Sequence, residues 1–152
     1  MNRRDLIHMN DEEIRAFLEE QRTVQIATND HDGWPHLVAM WYALINGQIV
    51  FWTYAKSQKT ANLRRDAKLT CLVEAGERYE ELRGVQIKGR AIIGDDRDTI
   101  QSIGEVIYKR YTGPLNDTTR QMVIAQAVKR VVVFVEPKEI VSWDHRKLGG
   151  VY

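Results

Sequence analysis

The dipeptide Asn46-Gly47 stands between two β-rich runs, residues 36–45 and 48–54. Asn and Gly both tolerate positive φ, which a two-residue hairpin turn demands because its twist must match that of the strands it joins. The two runs are therefore adjacent and antiparallel, and such a pair needs further strands to cover it. The sequence supplies them. Residues 23–28 alternate ahead of the pair, residues 69–74 follow it, and from Gly84 the apolar positions Val85, Ile87, Gly89 and Ala91 alternate with Gln86, Lys88 and Arg90. The last strand begins at Arg130 and extends toward Trp143. Period-two alternation with a polar second face predicts a sheet that is wet on one side.

Helical signals flank these strands. Asn10 with Glu13 makes a capping box, and Ile14, Phe17 and Leu18 then share one face of a short helix ending near Gln21, placed to plug one end of the sheet. Ser57 caps a helix running to about Arg65, residues 97–111 form another, Thr112-Gly113-Pro114 breaks it, and residues 117–128 form a further one. Six strands joined by hairpins or short helices, without βαβ spacing, predict a mainly β fold with flanking helices, built as an antiparallel barrel. A length of 152 residues fits one domain, 1–152, ending in an arm from about residue 142.

Charge and composition exclude several function classes. A formal net charge of +1 gives no global pull toward nucleic acid or a membrane surface, so any basic site is local. Neither a membrane-length apolar run nor the apolar core of a signal peptide is present, and a cytoplasmic protein is expected. Cys71 lies within an apolar alternation with no base supplied by its neighbours, as a buried structural thiol would. His8, His31 and His145 show no metal-ligand spacing with one another or with Cys71, so no metal site is expected.

Residues 53–63 carry the chemistry most open to a ligand: a strand runs straight into a helix start bearing Lys56, Ser57 and Lys59. Free amide groups and the positive end of the helix dipole, joined by a hydroxyl and an ammonium, make a phosphate site. A capped surface helix with solvated lysines has the same spacing. Phe51, Trp52 and Tyr54 just before it, with Trp34, Trp41 and Tyr42 on the paired segment, suit either an aromatic cofactor wall or ordinary core packing. His36 after Pro35 can place an imidazole against a heterocycle or serve structure alone. The tail containing Trp143, His145 and Lys147 reads as an arm that docks on its own barrel or on a partner subunit.

The blocks Gly33-Trp-Pro-His-Leu-Val-Ala-Met-Trp-Tyr42, Ala55-Lys-Ser-Gln-Lys-Thr-Ala-Asn-Leu-Arg-Arg-Asp66, Leu82-Arg-Gly-Val-Gln-Ile-Lys-Gly-Arg90, Arg110-Tyr-Thr-Gly-Pro114 and Ser142-Trp-Asp-His-Arg-Lys-Leu148 resemble the pyridoxamine-phosphate-oxidase-like split barrels. Within them the chain is similar to the flavin/deazaflavin oxidoreductases of mycobacteria and other actinobacteria, many of which use coenzyme F420. The resemblance spans nearly the whole chain. It implies a six-stranded antiparallel split β-barrel that works as a homodimer, with a cofactor in each groove of the subunit seam.

Carried over position by position, the resemblance gives Lys59, Ser57 and Asn62 to the cofactor phosphate, with Lys56 as a further cation, and Trp52, Thr53 and Tyr54 to the ribityl chain. Pro35, His36, Val38 and Ala39 would border the tricyclic ring. Glu74, Ala75 and Gly76 would close the groove, and Trp143 and Lys147 would come from the other subunit. Ser57 stands where some F420-binding relatives have an arginine. Arg64, Arg78 and Arg83 are the candidate cations for an oligoglutamate tail. The implied activity is hydride transfer between reduced F420 and a small unsaturated or quinone-like molecule, with no catalytic side chain required and a proton from solvent or Tyr79. The alternatives are an FMN-dependent oxidoreductase of the same fold and a flavin or F420 carrier without turnover. Vitamin B6 oxidation is disfavoured, because the chain lacks the arginine-containing C-terminal signature.

Overall fold

The Asn46-Gly47 turn has φ of 52° and 79° at its two residues, the double positive pair that closes a tight hairpin. In the computed structural model, which describes residues 2–150, it joins β3 (Ala43–Ile45) to β4 (Gln48–Tyr54). The other strands are β1 (Val24–Asn29), β2 (Pro35–Met40), β5 (Lys68–Ala75), β6 (Arg83–Gly94) and β7 (Arg130–Asp144). The helices are α1 (Arg3–Ile7), α2 (Asp11–Glu20), α3 (Gln58–Arg65), α4 (Arg97–Thr112) and α5 (Asp117–Ala127). All seven strands belong to one curled sheet in the order β2-β1-β5-β6-β7-β4-β3, antiparallel at each ladder.

The sequence predicts six strands where the structure has seven. The expected strand over residues 36–45 is split at Trp41 and Tyr42. Tyr42 turns inward, and its backbone is claimed from outside the ladder: its N–H donates to the Tyr111 hydroxyl at 3.0 Å, and its carbonyl accepts from Arg110 at 2.7 Å and from Tyr111 at 3.0 Å. The Tyr42 hydroxyl donates to the Leu18 carbonyl at 2.5 Å. A backbone held on both sides by side chains from α4 cannot continue its strand pairing. That contact joins residues far apart in the chain, so no local pattern announces it.

Two apolar layers result. Inside the curl lie Ile26, Phe51, Val73, Val85 and Val133, closed at one end by Phe17 and Leu18 of α2. On the other side of β4 and β7, Val50, Trp52 and Val132 pack under Ile100, Ile103 and Ile107 of α4 and Val123 of α5. Each fully buried aliphatic side chain contributes about 1.5–3 kcal/mol of burial free energy. The predicted caps are all formed: Asn10 and Glu13 exchange hydrogen bonds, and Ser57 accepts from the Thr60 amide.

Among the described residues nothing comparable covers the outer face of β2, β1, β5 and β6. The registers place Leu37, Ala27, Thr70, Lys88 and Glu139 in one cross-strand row and Ala39, Gln25, Leu72, Gln86 and Val141 in the next. Leu37 is 65% exposed and Val141 44%. The C-terminal arm docks on its own chain. His145 donates its amide to the Leu82 carbonyl, and its ring stands edge-on to Tyr79 at 4.6 Å. Lys147 reaches the His8 carbonyl at 2.9 Å and Glu13 at 2.7 Å. Residues 151 and 152 of the expected arm lie outside the described residues.

Candidate functional site

The corner where β4 gives way to α3 is built by the sequence around Ser57. Extended at φ −71° and ψ 157°, Ser57 caps the first turn, while its own amide donates to the Tyr54 carbonyl at 3.0 Å. Thr60 donates its hydroxyl to the same carbonyl at 2.9 Å. The turn is thus stapled to the end of β4, and α3 presents Lys59, Thr60, Asn62 and Leu63 inward.

Lys59 is only 9% exposed. Its ammonium donates to the Thr53 hydroxyl at 2.9 Å, and among the described residues no carboxylate pairs with it. Burial pushes its pKa below the usual lysine value, and the nearby positive charge of Arg130 pushes it the same way. A buried ammonium with one neutral partner is costly to hold.

Arg130 opens β7 directly across from Tyr54. Its guanidinium lies 4.6 Å from the Trp52 ring centroid and 4.3 Å from that of Tyr54, and donates to Gln126 at 3.3 Å. Among the described residues its Nε is buried without a hydrogen-bond partner, as is His36 Nδ1. From the sequence alone Arg130 is only the start of a strand. The usable signal is that Trp52 and Tyr54 share one face of β4, so an arginine opposite Tyr54 meets both rings.

The predicted residues sort unevenly. Lys59 and Thr53 meet at the corner, with Ser57 capping the turn beside them and Lys56 preceding it, whereas Tyr54 lies on the other face of β4 with Trp52 and Arg130. Asn62 is spent: its amide donates to Thr28 and Asp30 at 3.0 and 2.7 Å, and its carbonyl accepts from Gln58 and Arg65. Trp52, 7% exposed, packs under α4 and stands edge-on to Tyr108 at 6.3 Å. On β2 the alternation puts His36 and Val38 on the half-buried face but Pro35 and Ala39 on the exposed one.

Glu74, Ala75 and Gly76 are not gathered with Lys59. β5 runs away from α3, and seven residue steps at ~3.3 Å put its far end roughly 23 Å from its start. Trp143 sits at that far end, its ring against Gly84, and Lys147 is tied within its own chain. The tail candidates are each neutralised, Arg64 by Asp95 at 2.8 Å, Arg83 by Glu20 at 2.9 Å and Arg78 by Glu81 at 2.5 Å. A different basic lining appears on the outer face, where a groove of about 530 Å³ is bordered by Pro35, Lys68, Lys88, Arg90 and Lys138. Lys88 and Lys138 are ion-paired, whereas Lys68 and Arg90 face each other across the β5–β6 ladder with no such partner among the described residues. Only the register brings them together.

A curled antiparallel sheet with a helix-capped strand end and helices packed at its flank is the architecture of the split β-barrels. The chain belongs to the family described as pyridoxamine 5'-phosphate oxidase, whose model matches residues 10–144. The solved structure of the conserved hypothetical protein Rv2991 from Mycobacterium tuberculosis is 43% identical, with a TM-score of 0.93 over 100% of this chain and 95% of that one. An F420 reductase is 24% identical, with a TM-score of 0.67 over 83% of this chain and 94% of that one. HutZ, the heme storage protein from Vibrio cholerae, is 16% identical, with a TM-score of 0.69 over 87% and 94%. At these lower identities the likeness is one of fold. Curated proteins give no significant match. Among the described residues no helix is long and apolar enough to cross a membrane, and no group of acidic, histidine or cysteine side chains is arranged to hold a metal.

Proposed function

We propose that this protein is an oxidoreductase that binds coenzyme F420 in the seam of a homodimer and anchors the cofactor phosphate at the β4–α3 corner. The observation that carries this reading is Lys59, a nine-tenths buried ammonium beside a helix start with no counter-ion among the described residues. An incoming phosphate would supply the missing charge and take up the amides of the first turn of α3. Lys56 and Ser57 stand at the rim, and Thr53 orients the lysine.

The bound deazaflavin supplies hydride transfer to a small unsaturated or quinone-like acceptor. The chain's part is to hold the ring and keep water from it, with His36 and Val38 toward it from β2. Glu74, Ala75 and Gly76, at the far end of β5, and Trp143, on β7 beside the start of β6, reach such a ring only from a second copy. The uncovered outer face bearing Leu37 and Val141 is suited to that pairing.

FMN is the alternative cofactor. The groove lined by Lys68, Lys88, Arg90 and Lys138 favours F420, since an oligoglutamate tail brings carboxylates that FMN lacks. Titrating the protein with each cofactor and following absorbance and fluorescence tests the reading. Tight binding of F420, weaker with shortened tails, is expected, and saturation by neither cofactor would refute the proposal. Tight binding without oxidation of reduced F420 by any acceptor would mark a carrier.

A further inference from the structure

We infer that the cavity between α1 and the far end of β7 is a ligand site separate from the Lys59 corner, and that it takes an uncharged aromatic molecule bearing a hydroxyl group. The cavity has a volume of about 710 Å³ and is walled by the two ends of the chain, residues 4–14 and 140–145. That volume lies within the range of roughly 300–1,000 Å³ usual for small-molecule sites. β7 begins opposite Tyr54, next to the corner, and borders the cavity only from Ile140 onward.

Its walls are held by contacts between distant segments. The Met9 amide donates to the Ser142 hydroxyl at 2.9 Å across 133 residues of sequence, and Lys147 ties the His8 carbonyl to the arm at 2.9 Å. Trp143 is seated against Gly84, where an added Cβ would meet the ring at 2.1 Å, so the indole that borders the cavity is fixed in place. Ile7, Met9 and Ile14 line the space from the N-terminal side, and Ile140 and Val141, 46% and 44% exposed, line it from β7. Aliphatic walls beside an immobile indole suit a flat aromatic ring.

The polar groups select the ligand's substituents. His8 and His145 both border the cavity, and each spends Nδ1 on a backbone carbonyl, that of Asp5 at 2.7 Å and that of Tyr79 at 2.9 Å. A carbonyl only accepts, so Nδ1 carries the proton in both rings, and the neutral imidazole keeps Nε2 as its acceptor. A hydrogen bond between a ligand and either neutral ring is therefore one that the ligand donates, which calls for a hydroxyl. Arg4 and Asp11 border the same space with opposite charges, so neither an anion nor a cation is favoured.

The experiment titrates the full chain with 2-naphthol and with its methyl ether, which has the same rings and no donor, by calorimetry. The naphthol is expected to bind about tenfold more tightly than the ether, and more tightly than 2-naphthoate or 2-naphthylmethylammonium, which carry a charge. Equal binding of naphthol and ether, or binding of neither, overturns the inference. H8N and H145N put an amide where each ring stood, keeping a donor near Nδ1 and removing Nε2. At least one of them should abolish the hydroxyl advantage and leave the ether's affinity unchanged, and a double variant that keeps the advantage overturns the inference. W143L should weaken naphthol and ether alike; no change in either would seat them elsewhere and overturn it too. Should the histidine variants not fold, the imidazole nitrogen resonances of the wild-type protein decide. One Nε2 resonance shifts with naphthol and not with the ether, and two stationary resonances overturn the inference.

Discussion

The ammonium of Lys59 lies 2.9 Å from the hydroxyl of Thr53, six residues earlier in the chain, and this is its one hydrogen bond among the described residues. The contact crosses the bend from β4 to α3, so the lysine is folded back over the strand it has just left. It is charged, buried and held by a neutral group, which makes the corner costly to the protein without a ligand.

K59M therefore stabilises the ligand-free protein while weakening cofactor binding. Each kcal/mol gained raises Tm by roughly 2–4 °C in a chain of this size, and loss of one charged hydrogen bond costs about 1.5–3 kcal/mol of binding. The pH dependence follows from the lowered lysine pKa. Between that value and the unfolded value of about 10.4 the unfolded chain binds more protons, so wild-type stability rises with pH. The cost is complete below the folded pKa and vanishes above the unfolded one. Urea unfolding of both proteins should show the K59M advantage narrowing as pH approaches about 10.5, and a constant gap would contradict the assignment.

A Cβ at Gly84 would stand 2.1 Å from Cζ2 of Trp143. G84A must then displace the indole, at about 1–3 kcal/mol of overpacking, and shift the tryptophan emission. G84A combined with W143L should regain part of the loss, and an undisturbed Tm in G84A would show that the ring is not seated there.

Arg110 gathers the carbonyls of Leu18, Glu19 and Gln21 at the end of α2, and that of Tyr42, at 3.0, 3.1, 2.6 and 2.7 Å. R110A leaves these acceptors short of a donor and should cost about 2–4 kcal/mol. Lysine cannot span the set, so R110K should recover little. Hydrogen exchange localised to α2 and to residues 41–43 is the readout, and uniform protection would argue against the clamp.

Burial pushes the Cys71 thiol up to about 12. In the native protein it should not react with a thiol reagent at neutral pH, and labelling should track global unfolding. Rapid labelling under native conditions would show that β5 opens locally.

Alternation, capping residues and the Asn-Gly turn act through nearest neighbours, and they determined where the strands lie apart from the break at Trp41 and Tyr42, the helix starts at Asn10 and Ser57, and the lysine pair beside the second of them. Burial of Cys71 was legible for the same reason, since it lies within an apolar alternation. What the chain could not show locally was which distant groups would meet. Whether Tyr42 continues a strand depends on Arg110 and Tyr111, whether Asn62 is free depends on Thr28 and Asp30, and whether Arg130 has a partner depends on the rings of β4. Those choices are made by long-range packing, where burying a polar group is tolerable only if another segment supplies its partner. Residue order sets what each segment prefers, and tertiary structure alone decides which preferences are met.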